Sequence, residues 1–153
     1  MVESQLRPQG VTDPGVLDAM SAVERERFLP DHTRPLAYVD RAVMIGDRRF
    51  LPAPAVLGQL LTHMMPQRGE RALVVAAGTG YSSAVLAQIG LEVVALESSA
   101  ELAARARELG IATVTGPLES GWKKQAPYDQ ILIDGAVECI PDTVVDQLAD
   151  GGR

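Results

Sequence analysis

A chain of 153 residues suits one domain, and its 46% apolar content supplies enough hydrophobic side chains for a buried core. Its formal net charge of −6 argues against a nucleic-acid partner, because such proteins neutralise phosphates with Lys and Arg. The N-terminus has no signal-peptide core, no apolar run reaches the roughly 20 residues of a membrane span, and the single Cys139 excludes an internal disulfide. We therefore expect a cytoplasmic protein with neither a nucleic-acid nor a membrane partner.

The first part of the chain, residues 1–66, is rich in proline and predicts interrupted helices. One helix is expected to begin at Pro14, directly after Thr12 and Asp13, which are typical of a helix start. A second helical pattern covers residues 56–64 and ends before Pro66. We interpret residues 1–66 as a helical subdomain on the substrate side of the protein.

The second part, residues 67–153, alternates apolar strands with helices. The sequence predicts strands at residues 72–77, 91–96, 111–115 and 128–133, and helices at residues 82–89, 98–109 and 141–148. This alternation requires crossover connections and predicts an α/β fold with a doubly wound, mainly parallel sheet. Since only four strands precede the final turn, we expect an incomplete core that lacks its C-terminal strands.

A glycine loop and an acidic residue carry the most specific chemical pattern. Gly78-Thr79-Gly80 follows the first core strand directly, at the edge where open α/β sheets bind ligands. The next strand ends in Glu97, about twenty residues later, where a carboxylate can accept hydrogen bonds from both hydroxyls of a ribose. Alone, the loop also fits an ordinary tight turn and Glu97 a helix start. Together they predict a nucleoside pocket, and the missing third glycine and P-loop lysine favour S-adenosylmethionine.

Several further segments match one known family in a single order along the chain. They are Gln5-Leu6-Arg7-Pro8-Gln9-Gly10-Val11, residues 16–20 and 23–30, Ala37-Tyr38-Val39-Asp40, Ile45-Gly46, residues 78–87, Gly121-Trp122, residues 126–131 and Ile140-Pro141. On these residues the chain resembles the bacterial protein-L-isoaspartate O-methyltransferases. The N-terminal segments are the more distinctive part, because many methyltransferases share the glycine loop.

The resemblance implies an enzyme that transfers a methyl group from S-adenosyl-L-methionine to the carboxylates of isoaspartyl residues in a protein or peptide substrate. It implies cofactor contacts from Gly78, Thr79, Gly80, Tyr81, Glu97, Ser98, Leu118 and Asp134. On the substrate side it implies Tyr38 and Pro52, which stands at the position of the family's serine, and it makes Asp40 the candidate catalytic residue. Arg49 and its neighbour Arg48 precede this segment and fit either a contact with a substrate carboxylate or a solvated loop. Asp134 ends the fourth predicted strand, on the side where such sheets bind ligands, and also fits a strand-end cap. No metal site is predicted.

The chain departs from the family pattern at several of these positions. Val74 and Ala76 stand where the family has an acid and its first glycine, and Gly116-Pro117-Leu118 replaces Gly-Asp-Gly. Phe50-Leu51-Pro52 replaces Thr-Ile-Ser, and proline offers neither a hydroxyl nor a backbone N–H. These changes leave two alternatives open: a relative with a binding or regulatory role and no catalysis, or a methyltransferase for a small molecule.

Overall fold

The computed structural model describes all 153 residues, which form six strands and five α-helices. The strands are Val43–Gly46 (β1), Arg49–Leu51 (β2), Arg71–Val75 (β3), Glu92–Glu97 (β4), Thr113–Thr115 (β5) and Gln130–Ile133 (β6). The α-helices are Pro14–Ala22 (α1), Pro54–Met64 (α2), Tyr81–Ile89 (α3), Ala100–Glu108 (α4) and Asp142–Val145 (α5). Short 3₁₀ or π turns cover Val2–Leu6, Arg7–Gln9, Arg25–Phe28, Asp31–Leu36, Leu118–Ser120 and Lys123–Gln125. No helix combines the length and the apolar character needed to cross a lipid bilayer.

The predicted α/β fold is confirmed, since β3 to β6 form one parallel sheet in the order β5-β4-β3-β6. The chain adds strands on one side of β3 and then crosses to its other side, so the strand order reverses at β3. Ligands of open α/β sheets bind at such a reversal, beyond the carboxyl ends of the strands. The topology therefore places the candidate pocket beyond β3, between its neighbours β4 and β6.

Both faces of the sheet are covered, because successive strand side chains point to opposite faces. Ala72 and Val74 of β3 belong to a cluster of 24 buried hydrophobic residues, whereas Leu73 and Val75 belong to a second cluster of six. The larger cluster extends into the N-terminal part of the chain and includes Leu6 and residues of α1, α2 and α3. The N-terminal segments thus pack directly on one face of the sheet and form one wall of the site.

The predicted helices begin and end close to where the sequence places them. Asp13 caps α1, with its carboxylate accepting a hydrogen bond from the backbone N–H of Val16, and Ser99 caps α4 in the same way through Leu102. The prediction of a helix at residues 141–148 was too long, since α5 keeps only Asp142–Val145. The hairpin formed by β1 and β2 was not predicted, and this antiparallel pair holds two of the site residues discussed below.

Candidate active site

Three strands end side by side at the candidate site. Val75 of β3 pairs with Leu96 of β4 and with Ile133 of β6. The residues that follow these pairs are Ala76, Glu97 and Asp134, so the register itself brings the start of the glycine loop between two carboxylates. The two acids were predicted from their strand-end positions, and the structure places both at this edge of the sheet.

Glu97 is fully buried and lies against the glycine loop. Its carboxylate accepts hydrogen bonds from the backbone N–H of Gly78 at 2.7 Å, of Ser98 at 2.8 Å and of Ser99 at 3.0 Å. Three backbone donors fix the carboxylate in place and offset part of the free-energy cost of burying its charge. Glu97 and Gly78 therefore share one rigid corner, as the sequence pattern predicts.

Arg49 provides the only side-chain cation on this carboxylate. Its Nη1 and Nη2 atoms donate to the two oxygens of Glu97 at 3.2 and 3.1 Å, and Nη2 also donates to the carbonyl of Ala76 at 2.9 Å. The structure thus places Arg49 on Glu97, the predicted ribose contact, whereas the sequence predicted that Arg49 binds a substrate carboxylate or belongs to a solvated loop. Its neighbour Arg48 is exposed and makes no side-chain hydrogen bond, which fits the solvated-loop interpretation.

The glycine loop bends back through two residues with positive φ. Gly78 has φ +57° and Gly80 has φ +93°, a region that glycine adopts without steric cost. The hydroxyl of Thr79 donates to the carbonyl of Phe28, and the ring of Tyr81 packs edge-on against that of Phe28 at 5.4 Å between centroids. The side chains of Thr79 and Tyr81 therefore face the N-terminal segments, and only the backbone of these residues remains for a ligand.

Ala76 also adopts a positive φ, +63°, at the position where the resembled family has glycine. A left-handed conformation costs a residue with a Cβ about 1–2 kcal/mol. Replacing it by glycine removes that strain, but it also increases the conformational entropy of the unfolded chain, which lowers the free energy of unfolding by about 0.4–1 kcal/mol.

We expect Ala76→Gly to raise the free energy of unfolding by about 0.5–1 kcal/mol in total, measured by urea denaturation. The control Ala77→Gly, at a buried neighbour without positive φ, should lower it, and stabilisation by both variants would contradict the strain.

Asp134 is a buried carboxylate with one unused oxygen. Its Oδ2 accepts a hydrogen bond from the hydroxyl of Ser82, while its Oδ1 has no partner. Burial raises the pKa of Asp134 from 3.8 to about 6, although the Ser82 hydroxyl and the charges of Arg25 and Arg49 act in the opposite direction. The cost of desolvation is therefore larger than the gain from these partners.

This pKa shift predicts a pH-dependent stability. Since the folded protein holds the Asp134 proton more tightly than the unfolded chain, the free energy of unfolding falls as pH rises from about 4 to about 6. Asp134→Asn removes that loss and should stabilise the protein by about 3 kcal/mol at pH 7.5 but hardly at pH 4. Urea denaturation at both pH values tests this, with Asp146→Asn on the surface as control. Equal effects of Asp134→Asn at the two pH values would contradict the assignment.

A cavity of about 710 Å³ is lined by Asp134 and by Arg49, whose guanidinium contacts the buried carboxylate of Glu97. Its lining is mainly apolar and includes residues of the β1–β2 hairpin, of α2 and of the strand ends. The lining residues that bear on the predictions are Arg49, Pro52, Ala76, Leu118 and Asp134. The predicted contacts Leu118 and Pro52 thus do lie at the site, but the carbonyl of Pro52 accepts a hydrogen bond from Arg25.

The residues that line the cavity do not include the predicted residues Tyr38 and Asp40, nor the predicted cofactor contacts Gly78, Thr79, Gly80, Tyr81, Glu97 and Ser98. The hydroxyl of Tyr38 donates to the carboxylate of Glu26, and the carboxylate of Asp40 accepts a hydrogen bond from the backbone N–H of Ala55, near the start of α2. Neither side chain lines the cavity. Their assignment as substrate-binding and catalytic residues stays a prediction. Ser98 contacts Glu97, because its backbone N–H and its hydroxyl both donate to the Glu97 carboxylate, at 2.8 and 3.3 Å.

Arg25 and Ser82 are two residues near the site that the sequence did not predict. Arg25 is fully buried, stacks over the ring of Tyr81 at 4.7 Å, and donates to the carbonyls of Ala37 and Pro52. Burial lowers its pKa from the ordinary value of arginine. Nothing in the sequence distinguished Arg25, because its segment Arg25-Glu26-Arg27 has the charge pattern of a solvated surface. No group of three or more potential metal-binding side chains is present.

Comparison with known proteins agrees with this geometry. The family model described as Protein-L-isoaspartate(D-aspartate) O-methyltransferase (PCMT) matches residues 1–153. Proteins named protein-L-isoaspartate O-methyltransferase from Gloeobacter violaceus and Methanoculleus marisnigri are 40% and 36% identical to the whole chain, which covers 78% and 73% of their lengths.

Solved structures give the same result. A protein-L-isoaspartate O-methyltransferase, 27% identical, superimposes with a TM-score of 0.84 over 95% of this chain and 50% of its own. A putative one from Plasmodium falciparum, in complex with S-adenosyl-L-homocysteine, shares the fold with a TM-score of 0.82 at 21% identity over 95% of this chain and 77% of its own. With a family match over every residue and relatives at 36–40% identity, the chain belongs to the protein-L-isoaspartate (D-aspartate) O-methyltransferase family.

Proposed function

We propose that this chain is an S-adenosylmethionine-dependent O-methyltransferase that methylates the carboxylates of isoaspartyl residues in proteins or peptides. The observation that carries the proposal is the buried carboxylate of Glu97, which faces the glycine loop at the point where the strand order reverses. Membership of the family supports the activity and the acceptor. The cytoplasmic setting stays a prediction that rests on the sequence patterns described above.

The residues present fit this cofactor. Glu97 offers carboxylate oxygens for ribose hydroxyls, and the cavity beside it has ample volume for a nucleoside with an amino-acid tail. The unpartnered Oδ1 of buried Asp134 is an acceptor that lacks a donor, which the ammonium group of the amino-acid tail can supply. Glu97 and Asp134 would thus hold the two polar ends of the cofactor, its ribose and its ammonium group. Leu118 is part of the apolar cavity wall.

When bound, S-adenosylmethionine supplies a methyl group that its sulfonium activates toward nucleophiles. The acceptor carboxylate is ionised at neutral pH, so no residue of the chain has to remove a proton from it. The chain has two tasks instead, which are to align the acceptor with the methyl group and to exclude water from the reacting atoms. The proposed reaction therefore requires no general base.

The entrance to the cavity fits a protein or peptide acceptor. Large apolar side chains are exposed around it, among them Phe50, Val56, Leu60 and Val137. Contiguous exposed apolar surface is typical of sites that bind another protein. A peptide can therefore cover this rim while its isoaspartyl carboxylate enters the cavity. A small molecule would leave the rim exposed, so the geometry favours the peptide acceptor.

Transfer of a labelled methyl group tests the proposed function. We expect base-labile incorporation of label from S-adenosylmethionine into a peptide that contains one isoaspartyl residue. The matched peptide with an ordinary aspartyl residue is the control and should stay unlabelled. No incorporation into the isoaspartyl peptide, by protein that binds S-adenosylhomocysteine, would reject the acceptor while leaving the cofactor pocket in place.

A further inference from the structure

We propose that Arg49 is an exchangeable side chain that links cofactor binding to acceptor binding. In the free protein its guanidinium occupies Glu97, the ribose displaces it from there, and the released guanidinium then binds the acceptor carboxylate. This inference rests on the proposed function, because it takes the ribose and the carboxylate acceptor from it. It assigns to Arg49 a role in both binding events.

The first step of the argument is that Glu97 has no free acceptor site. Oε1 accepts hydrogen bonds from the backbone N–H groups of Ser98 and Ser99, from the hydroxyl of Ser98 and from Nη1 of Arg49. Oε2 accepts from the N–H of Gly78 and from Nη2 of Arg49. A carboxylate offers about four lone-pair sites. Since six donors already use them, ribose hydroxyls can bind Glu97 only if a present donor leaves.

Only two donors on Glu97 are side chains that can rotate away, Arg49 and the hydroxyl of Ser98. Loss of the Ser98 hydroxyl frees only Oε1, whereas Arg49 occupies both oxygens. The other three donors belong to the backbone of the glycine loop and of the turn after β4, and moving them would open the edge of the sheet. Arg49 reaches Glu97 by a long side chain from the β1–β2 hairpin, and that side chain is 26% exposed. Rotation about its side-chain bonds frees Glu97 at little cost to the fold.

The guanidinium released from Glu97 stays at the cavity, where the acceptor carboxylate enters. Arg48 and Arg49 are the only cations that line the cavity, and the lining is otherwise mainly apolar apart from the carboxylate of Asp134. An acceptor carboxylate that enters such a cavity needs a cationic partner, because burial of an unpaired charge is expensive. The guanidinium binds carboxylates through two parallel hydrogen bonds, as it already does with Glu97. The acceptor thus replaces Glu97 as the partner of Arg49.

Exchange of this kind makes binding of the cofactor and binding of the acceptor positively cooperative. In the free protein only the fraction of molecules with Arg49 displaced can bind the ribose, which reduces the apparent cofactor affinity. Bound cofactor in turn leaves Arg49 available to the acceptor. By thermodynamic reciprocity the acceptor must then raise cofactor affinity by the same factor.

Isothermal titration on the wild-type protein, Arg49→Gln and a control tests the proposal. The control is Arg41→Gln, which removes an exposed arginine that forms no side-chain hydrogen bond or ion pair. We expect Arg49→Gln to bind S-adenosylhomocysteine about fivefold to tenfold more tightly than wild type when no acceptor is present. Saturating S-adenosylhomocysteine should tighten binding of an isoaspartyl peptide to wild type by about tenfold, and Arg49→Gln should lose this coupling.

The outcomes separate the inference from the proposed function. Equal or weaker S-adenosylhomocysteine binding by Arg49→Gln, or an unchanged coupling factor, would overturn the exchange and leave the methyltransferase pocket intact. If neither protein binds S-adenosylhomocysteine, the cofactor pocket and the exchange both fail. Tighter binding by Arg41→Gln as well would show a general charge effect and would equally reject the specific role of Arg49.

Discussion

Glu97→Gln is expected to weaken S-adenosylhomocysteine binding by about tenfold to hundredfold, because each hydrogen bond to a charged acceptor contributes about 1.5–3 kcal/mol. The buried carboxylate accepts hydrogen bonds from the backbone on both oxygens and, in the proposed complex, also from the ribose hydroxyls. In glutamine one of the two oxygens becomes an NH₂ group, which has to face a backbone N–H or the ribose hydroxyls. One side of the site therefore loses an acceptor whichever way the amide is turned.

The matched control is Glu92→Gln, at the exposed start of the same strand. Its contact with Arg71 is a surface pair at 3.9 Å, for which a contribution of about 0–1 kcal/mol is typical. Titration of both variants should show weakened binding by Glu97→Gln alone, with both proteins folded by circular dichroism. Glu97→Gln and Arg49→Gln remove the same ion pair and are predicted to change affinity in opposite directions. Unchanged affinity of Glu97→Gln would mean that Glu97 does not contact the ligand.

Arg25→Met should lower the free energy of unfolding by about 3–4 kcal/mol, since each buried polar group left without a partner costs about 1–3 kcal/mol. The substitution leaves the carbonyls of Ala37 and Pro52 without their donor and removes the stacking over Tyr81. Replacing a buried charge by an apolar side chain is often harmless when its partner is replaced too. Here the partners are backbone carbonyls that no substitution of Arg25 can remove.

Urea denaturation measures this effect, and Arg27→Met is its control. Arg27 lies in the same 3₁₀ turn but is exposed, so its replacement should change stability by less than about 0.5 kcal/mol. Because Arg25 holds the end of β2 through Pro52, Arg25→Met should also weaken binding at the cavity. A loss of stability no larger than that of Arg27→Met would contradict the structural role of Arg25.

The sheet and its ligand-binding edge followed from the sequence because their signals are local. Apolar strands separated by helices predict a parallel sheet, and Gly78, Gly80 and Glu97 stand at strand ends, where the fold itself decides their position. Asp134 was located in the same way. These residues needed no knowledge of long-range packing, and the register of β3 with β4 and β6 places them as predicted.

The N-terminal contacts did not follow from the sequence, because they depend on packing between distant segments. Arg25 contacts Pro52, which is 27 residues away, and Arg49 contacts Glu97, which is 48 residues away. The β1–β2 hairpin was hidden by its charged turn, where Asp47 and Arg48 both adopt positive φ without a glycine at either position. Thr79 and Tyr81 match the family loop in sequence, yet their side chains pack on the N-terminal segments instead of the cavity.

A crystal structure of the protein with S-adenosylhomocysteine is the most direct test of the pocket. We expect the ribose hydroxyls within about 3 Å of the Glu97 carboxylate, the backbone of the glycine loop beside them and the guanidinium of Arg49 away from Glu97. A ligand bound elsewhere, with the Arg49–Glu97 pair still formed, would contradict the account.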